Sequence, residues 1–280
     1  MQMMAPRTLV TRAKVNLVGT VAGDVYERMR WVAGAVKRHR HPELMDFYLE
    51  PYRFDFLMSH LVREDDHCFD GGCHVGSVLA QMVRLAPKGR HIAVEPVPHK
   101  VDALSKRFPR VRIVPGALGA APGTMTFYDH HSGFASFHPD RAHHTADDAR
   151  DVEVHTVDSL VGDGRLDLLK LDIEGAELWA LEGARETVRR QSPTVLIECG
   201  RDSVLEPFGY RRDDMYAYVT DELGYGIWSI VDFIYGRDPL SRGEFSRAGA
   251  YPFRGFNYVC VPAERHPQRL VPEYTREQLF

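Results

Sequence analysis

Short apolar segments alternate with amphipathic segments from His67 onward, and this alternation limits the fold more than any other feature. The apolar segments comprise residues 68–69, 91–94, 111–114, 166–171 and 194–197, and helices are predicted between them over 76–85, 98–108 and 176–190. Strands and helices of these lengths are typical of right-handed crossovers between parallel strands. We therefore predict an α/β fold with a doubly wound, mainly parallel sheet.

The segments around this core have other patterns. Residues 8–49 carry apolar side chains at the three- and four-residue spacing of amphipathic helices, whereas 124–128 and 152–157 alternate like half-exposed strands of a hairpin or side sheet. Further strands are predicted at 226–231 and 256–261. We predict a helical extension over residues 1–47, acting as a lid over an acceptor site or as a homodimer contact, and one domain over 48–280.

Composition excludes several classes of protein. The 280 residues carry a net charge of −4, which argues against nucleic acid as the main partner. The four cysteines form no C-x-x-C pair, so we expect reduced thiols and a cytoplasmic location rather than a zinc site or a disulfide scaffold. The apolar stretch near the N-terminus is too short and interrupted for a signal peptide or a membrane span.

A glycine-rich turn follows the first predicted strand, in the sequence C-F-D-G-G-C-H-V-G of residues 68–76. Asp70 ends the strand, Gly71 and Gly72 permit a tight turn close to a ligand, and Gly76 opens the next helix. The spacing is neither the G-x-G-x-x-G of a dinucleotide-binding protein nor a P-loop. The pattern therefore predicts a ligand-binding turn and speaks against a nicotinamide oxidoreductase.

Acidic residues follow the other predicted strands. Glu95 ends the second strand, 25 residues after Asp70, where a carboxylate suits a ribose diol. Asp172 and Glu174 end the strand at 166–171, and Glu198 ends the next one. Because ligands of open α/β sheets bind outside the carboxyl ends of the strands, we expect these five carboxylates to lie along one edge.

Four segments together resemble the FkbM-type methyltransferases: FDGGCHVG (69–76), AVEP (93–96), VHTVDSL (154–160) and KLDIEGAELWALEGAR (170–185). Their order and spacing agree from about residue 48 to 200. The resemblance implies a seven-stranded class I (Rossmann-like) methyltransferase sheet, S-adenosylmethionine (SAM) as methyl donor, and usually a hydroxyl acceptor on a sugar or small metabolite. The family commonly has Gly-Ala-Asn where this chain has Gly72, Cys73 and His74.

The resemblance, taken with the strand-end argument, also assigns roles to residues. The turn from Asp70 to Gly76, His74 included, would hold the amino-acid end of SAM, and Glu95 would hold the ribose. Ala117 and Leu118, just beyond the third strand, would meet the adenine. Asp172 would lie near the methionine moiety or the acceptor, as a third candidate catalytic residue after the histidines considered next.

An aliphatic hydroxyl is a poor nucleophile, so a base or a metal ion is expected to assist methyl transfer. Five of the fourteen histidines fall within residues 130–144, in a polar loop, and we predict His144 first and His131 second as the base. The alternative is Mg²⁺ held by Asp172, Glu174 and Glu198.

The predicted function is a SAM-dependent O-methyltransferase acting on a hydroxyl of a sugar, an oligosaccharide or a glycosylated metabolite, for example in polysaccharide biosynthesis. Late aromatic residues such as Tyr216, Trp228 and Phe256 could pack on sugar rings, although most are expected in the core. Two alternatives stay open: a Mg²⁺-assisted O-methyltransferase of another small metabolite, and a SAM-binding module without catalytic activity.

Overall fold

The structure, a computed structural model, describes residues 6–128 and 149–271. Seven strands of the described residues form the main sheet: β1 (Cys68–Gly71), β2 (Ile92–Glu95), β3 (Arg112–Pro115), β7 (Leu168–Leu171), β8 (Thr194–Glu198), β9 (Tyr225–Ser229) and β10 (Asn257–Pro262). A side sheet of the same described ranges comprises β4 (Ala117–Leu118), β5 (Gly123–Tyr128) and β6 (Ala149–His155).

The main sheet is doubly wound, with the strand order β3-β2-β1-β7-β8-β10-β9. All neighbouring pairs from β3 to β8 are parallel, and β10 runs antiparallel to both β8 and β9. The strand order reverses between β1 and β7, which places a ligand crevice at their carboxyl ends. This topology confirms the predicted α/β class and the seven-stranded class I methyltransferase sheet.

The helices cover both faces of the sheet and extend beyond it at the N-terminus. Their bounds are α1 (Pro6–Leu17), α2 (Val21–Ala33), α3 (Ala35–Arg40), α4 (Met45–Leu61), α5 (Ser77–Leu85), α6 (Pro98–Arg107), α7 (Val157–Val161), α8 (Glu177–Glu182), α9 (Arg185–Gln191), α10 (Asp202–Leu205), α11 (Arg212–Ala217), α12 (Ile230–Ile234) and α13 (Arg242–Ala248). The boundary predicted between residues 47 and 48 falls inside α4, and the division into two parts stays a prediction.

Two apolar cores lie on opposite faces of the sheet, because successive side chains of a strand point to opposite sides. Leu169 and Leu171 of β7 pack in the core that contains α8 and α9, whereas Leu168 packs in the core that contains α4 and α12. Lys170 shares the face of Leu168 and is 1% exposed. A charged side chain is therefore buried in the middle of the sheet, beneath α4.

The segment predicted as one helix over 176–190 is two helices. The carbonyl of Gly183 accepts a hydrogen bond from the backbone N–H of Asp158 at 2.9 Å. The Asp158 carboxylate in turn accepts from the backbone N–H groups of Glu186 and Thr187, at 3.1 and 2.8 Å. A carboxylate at the start of α9 compensates the unpaired N–H groups there, so α7 fixes the break between α8 and α9.

The N-terminal segment up to Arg40 comprises the three helices α1, α2 and α3. Val15 of α1 is buried against α6, and the Thr20 hydroxyl caps α2 by accepting from the backbone N–H of Gly23 at 3.2 Å. Apart from Trp31, the apolar side chains of the next two helices face solvent instead of the core. We call five of them, all 50% to 79% exposed, the apolar stripe: Val21, Val25, Met29, Val32 and Val36.

No helix in the two described ranges combines the length and the apolar character that crossing a bilayer requires.

Candidate active site

A cavity of about 330 Å³ lies outside the carboxyl ends of β1, β2 and β7. Its walls come from the β1–α5 turn, the β2–α6 turn, β4, Phe127 of β5 and the β7–α8 turn. This is the switch point of the sheet, where the strand order reverses. Four of the five carboxylates predicted at this edge therefore line one cavity, and the fifth, Glu198, does not.

The β1–α5 turn is shaped by its glycines. Gly72 has a φ of +79°, and a Cβ at this position would overlap the carbonyl oxygen of Asp172. The backbone N–H groups of Gly72 and Cys73 donate to the carbonyl of Val94 at 3.0 and 3.1 Å, which ties the turn to β2. Gly76, with a φ of +84°, precedes α5. Only glycine adopts such a turn without strain.

The predicted residues of this turn differ in their distance from the cavity. Asp70, Gly72 and His74 line it, whereas Gly71 and Gly76 do not. A Cβ on Gly71 would press on Leu118 and Leu171, so this glycine serves close packing behind the wall.

Asp70 brings a buried and partly unsatisfied carboxyl group to the cavity. Its side chain is 2% exposed, and its Oδ2 has no hydrogen-bond partner within the described part of the chain. Burial raises the pKa of Asp70 to about 7, although the Lys170 ammonium acts in the opposite direction. A buried acceptor without a partner is costly, and a ligand with an N–H donor would satisfy it.

Glu95 holds two turns together while it faces the cavity. Its Oε2 accepts from the backbone N–H of His74 at 2.9 Å, and its Oε1 accepts from the backbone N–H of Val97 at 3.1 Å. Lys100 lies 3.7 Å from Oε1, through Nζ. Glu95 therefore holds the β1–α5 and β2–α6 turns in fixed positions where they meet the cavity.

The β7–α8 turn carries a charged cluster. The Nζ of Lys170 lies 3.1 Å from Oδ2 of Asp172, and Asp172 is also hydrogen-bonded to Glu198. Burial disfavours ionisation of Asp172, but Lys170 outweighs it and lowers the pKa of Asp172 to about 2. Burial, together with the Asp172 charge, raises the pKa of Glu198 well above its ordinary value. In this pair, Glu198 is therefore the group that is more easily protonated, and Asp172 is the group that is more easily ionised.

The predicted Mg²⁺ ligands are arranged differently from a metal site. Asp172 and Glu174 line the cavity, and Glu198 lies outside it. Within residues 6–128 and 149–271, no group of three or more His, Cys, Asp or Glu side chains is arranged to hold a metal ion. Lys170 occupies the position beside Asp172 that a cation would take, so the expectation of Mg²⁺ here finds no support.

The wall opposite the acidic residues is mostly apolar. Ala117 and Leu118 are buried and line the cavity with Gly116 and Phe127. In the part of the chain that the structure describes, none of the late aromatic residues lines this cavity; Tyr210, Tyr218 and Trp228 belong to the core.

Several lining residues were missed from the sequence: Ser77, Val78, Lys100, Phe127 and Ile173. Lys100, the third residue of α6, is 8% exposed and lies close to Glu95 only because the β2–α6 turn brings the two side chains together. Nothing in the sequence indicated Phe127, because the alternation of β5 does not say which face of the side sheet lies against the cavity. The predicted bases His144 and His131 lie outside the described residues.

Glu177, the first residue of α8, is buried behind the turn that precedes the helix. It is 1% exposed and accepts from the backbone N–H groups of Ile173 and Gly175, at 2.8 Å and 3.1 to 3.2 Å. Burial raises its pKa to about 7. Glu177 therefore fixes the β7–α8 turn that presents Asp172 to the cavity.

Comparisons with known proteins agree with this geometry. The methyltransferase FkbM domain matches residues 70–225, more than half of the chain. A curated relative, the methyltransferase sdnD from Sordaria araneosa, is 26% identical over 191 residues, covering 51% of this chain and 74% of that protein.

Three solved structures resemble this chain at lower sequence identity than the curated relative does. The methyltransferase FkbM from Methylobacillus flagellatus has 16% sequence identity to this chain and a TM-score of 0.49. The match covers 91% of this chain and 59% of the Methylobacillus chain, so this chain spans less than two thirds of the length of that protein. A TehB-like SAM-dependent methyltransferase from Corynebacterium glutamicum has 14% identity, coverages of 86% and 98%, and a TM-score of 0.40. Aeropyrum pernix fibrillarin, with natively bound SAM, has 13% identity, coverages of 72% and 67%, and a TM-score of 0.38.

Proposed function

The chain belongs to the FkbM methyltransferase family, and we propose that it transfers a methyl group from SAM to a hydroxyl oxygen of a sugar, an oligosaccharide or a glycosylated metabolite. The observation that carries the proposal is the pairing of Asp70 and Glu95 in one cavity. Asp70 offers a buried oxygen without a partner, and Glu95 offers two oxygens fixed by backbone contacts. These groups match the ammonium and the ribose diol of SAM.

The residues present fit this cofactor. The carboxyl of Asp70 would accept from the ammonium of the amino-acid end, and Glu95 would accept from the ribose hydroxyls. The apolar wall of Ala117, Leu118 and Phe127 would take the adenine. The family's Ala-Asn is replaced here by Cys73 and His74, but this turn is held through backbone N–H groups, so the replacement leaves its hydrogen bonds intact.

When bound, SAM supplies an electrophilic methyl group on a positively charged sulfur. The contribution of the chain is to align the acceptor oxygen with that methyl group. Asp172 faces the cavity and is ionised at neutral pH, so it can accept a hydrogen bond from the acceptor hydroxyl and orient it.

A carboxylate with a pKa of about 2 is a weak base, because a proton at pH 7 seldom stays on it. We therefore propose that a histidine of residues 130–144 takes the hydroxyl proton. His144 is the first candidate and His131 the second. If a chelator abolishes activity and Mg²⁺ restores it, the metal-assisted alternative replaces this assignment.

Calorimetry with S-adenosylhomocysteine tests the binding site. We expect Glu95→Gln to weaken binding by about 10- to 100-fold, since hydrogen bonds to charged groups typically contribute this much. Glu64→Gln is the matched control because this glutamate is 65% exposed and remote in the fold. The melting temperature of each variant separates lost ligand contacts from a loosened turn.

Two outcomes would contradict the proposal. If the unaltered chain binds neither SAM nor S-adenosylhomocysteine, or if Glu95→Gln binds as tightly, the cavity is not the cofactor site. Tight binding without methyl transfer to any member of a broad panel of glycosides and small alcohols would instead favour the inactive SAM-binding module.

A further inference from the structure

The apolar stripe is an amphipathic pattern whose apolar side faces solvent. Its members, at positions 21, 25, 29, 32 and 36, follow the helical repeat, so they lie on one side of α2 and α3. An amphipathic helix normally buries this side against the core. A contiguous exposed apolar surface marks a site of interaction.

The opposite side of α2 is attached to the body of the protein. Trp31 packs edge-to-face against Tyr52 of α4, with ring centroids 5.0 Å apart. The guanidinium of Arg38 lies 3.5 Å from the centre of the Trp31 ring and also donates to the Trp31 carbonyl. Turning the apolar stripe inward would break these contacts, so the stripe is held outward.

The segment that carries the stripe is strongly basic in an otherwise acidic chain. Residues 6–41 contain eight Lys and Arg against two Asp and Glu, whereas the other residues contain 27 against 37. Arg28 is the residue directly before Met29, and Arg40 lies one helical turn after Val36. Both arginines are exposed. At about 100° per residue, the two arginines flank the stripe on either side.

These charges discriminate between the partners that could cover the stripe. Two stripes paired in a dimer would bring together two segments with an excess of six positive charges each, which repel. The acidic remainder of the described chain offers little apolar surface in return: its large exposed apolar side chains are Met45, Tyr52, Tyr235 and Tyr251. An anionic bilayer offers both an apolar interior and phosphate groups.

We propose that α2 and α3 bind an anionic phospholipid surface, with the apolar stripe in the acyl–headgroup boundary and Arg28 and Arg40 at the phosphates. Residues 21–40 would lie in the plane of the membrane over about 30 Å. This orientation uses the stripe as it is exposed and requires no rearrangement of the body. It is independent of the reaction proposed for the cavity.

Flotation of the full chain with vesicles tests the proposal. The chain is expected to float with vesicles of phosphatidylglycerol and phosphatidylcholine, and to stay in solution with phosphatidylcholine alone. The triple variant Val25→Ser, Met29→Ser, Val32→Ser should weaken binding by at least about tenfold, because each buried apolar side chain contributes severalfold. Since all three side chains are exposed, its melting temperature should not change.

A charge variant and its matched control complete the test. Arg28→Gln with Arg40→Gln should weaken binding by about fivefold per charge. Lys88→Gln with Arg247→Gln makes the same change in net charge at exposed positions of the body and should bind as the unaltered chain does.

Three results would overturn the proposal. The first is absence of binding to the anionic vesicles, and the second is equal binding by the triple serine variant. The third is a concentration-dependent dimer in sedimentation velocity that the serine variant abolishes, since a second copy would then cover the stripe.

Discussion

Replacing Lys170 by methionine tests whether the buried charges around the cavity act as one unit. The ammonium is 1% exposed and interacts with carboxyl groups from four elements: Asp70 on β1, Asp172 after β7, Glu198 on β8 and Glu50 on α4. Burial opposes its charge, but the carboxylates outweigh burial and hold the pKa of Lys170 above its ordinary value. Methionine retains most of the side-chain volume and removes the charge.

The expected loss follows from the carboxylates that remain without a cation. Removing one partner of a buried ion pair typically costs about 3–5 kcal/mol, and we expect this loss for Lys170→Met at pH 8. Lys170 lowers the pKa of both Asp70 and Asp172, so both values should rise in the variant.

The sign of the pH dependence follows from these shifts. A folded state with raised carboxyl pKa values binds more protons than the unfolded state, so its stability falls as the pH rises. The loss of unfolding free energy caused by Lys170→Met should therefore be smaller at pH 5 than at pH 8. The difference is about 1.4 kcal/mol for each unit by which a carboxyl pKa has risen across this range.

Urea unfolding, followed by tryptophan fluorescence at both pH values and constant salt, measures the effect. Lys88→Met is the matched control, because Lys88 and its partner Glu64 are each 65% exposed and such pairs contribute about 0–1 kcal/mol. A loss for Lys170→Met that is equal at the two pH values would refute the electrostatic reasoning. So would a loss as small as that of the control.

Two further predictions concern the glycine turn and the base. Gly72→Ala should destabilise the fold more than Gly209→Ala. Both glycines have a φ near +80°, so alanine brings a strain of about 1–2 kcal/mol at either position, but only at Gly72 would the Cβ also meet a backbone carbonyl. Equal losses of stability in urea unfolding would contradict this reasoning. His144→Gln or, failing that, His131→Gln should lower kcat by about 10²–10⁴-fold and remove the acidic limb of the pH profile, with affinity for S-adenosylhomocysteine unchanged. Full activity in both variants would exclude these histidines as the base.

The main sheet could be predicted because its strands are buried on both faces and read as apolar runs with helices between them. An acidic residue at the end of a predicted strand was enough to place Asp70, Glu95 and Asp172 near one cavity, since the carboxyl ends of parallel strands meet at one edge of the sheet. The predicted and observed strands of the main sheet differ by one or two residues at their ends. These features depend on local pattern and on topology alone.

Other features depend on contacts between distant segments, which periodicity does not report. Asp158 breaks the helix predicted over 176–190 from a position that precedes it by 18 residues. Lys170 has the sequence environment of an apolar strand and gives no sign of its buried carboxyl neighbours. The apolar spacing over residues 8–49 predicted amphipathic helices, but the pattern could not say whether their apolar sides met the body of the protein.

The two-sided attachment of Glu95 has a consequence for attempts to change what this protein recognises. The carboxylate that would read the nucleoside sugar also fastens the loops after β1 and β2 through His74 and Val97. A redesign for a donor with a modified ribose therefore cannot begin with this glutamate alone. It would need substitute acceptors for both amide groups, and recognition and architecture would have to be altered in the same step.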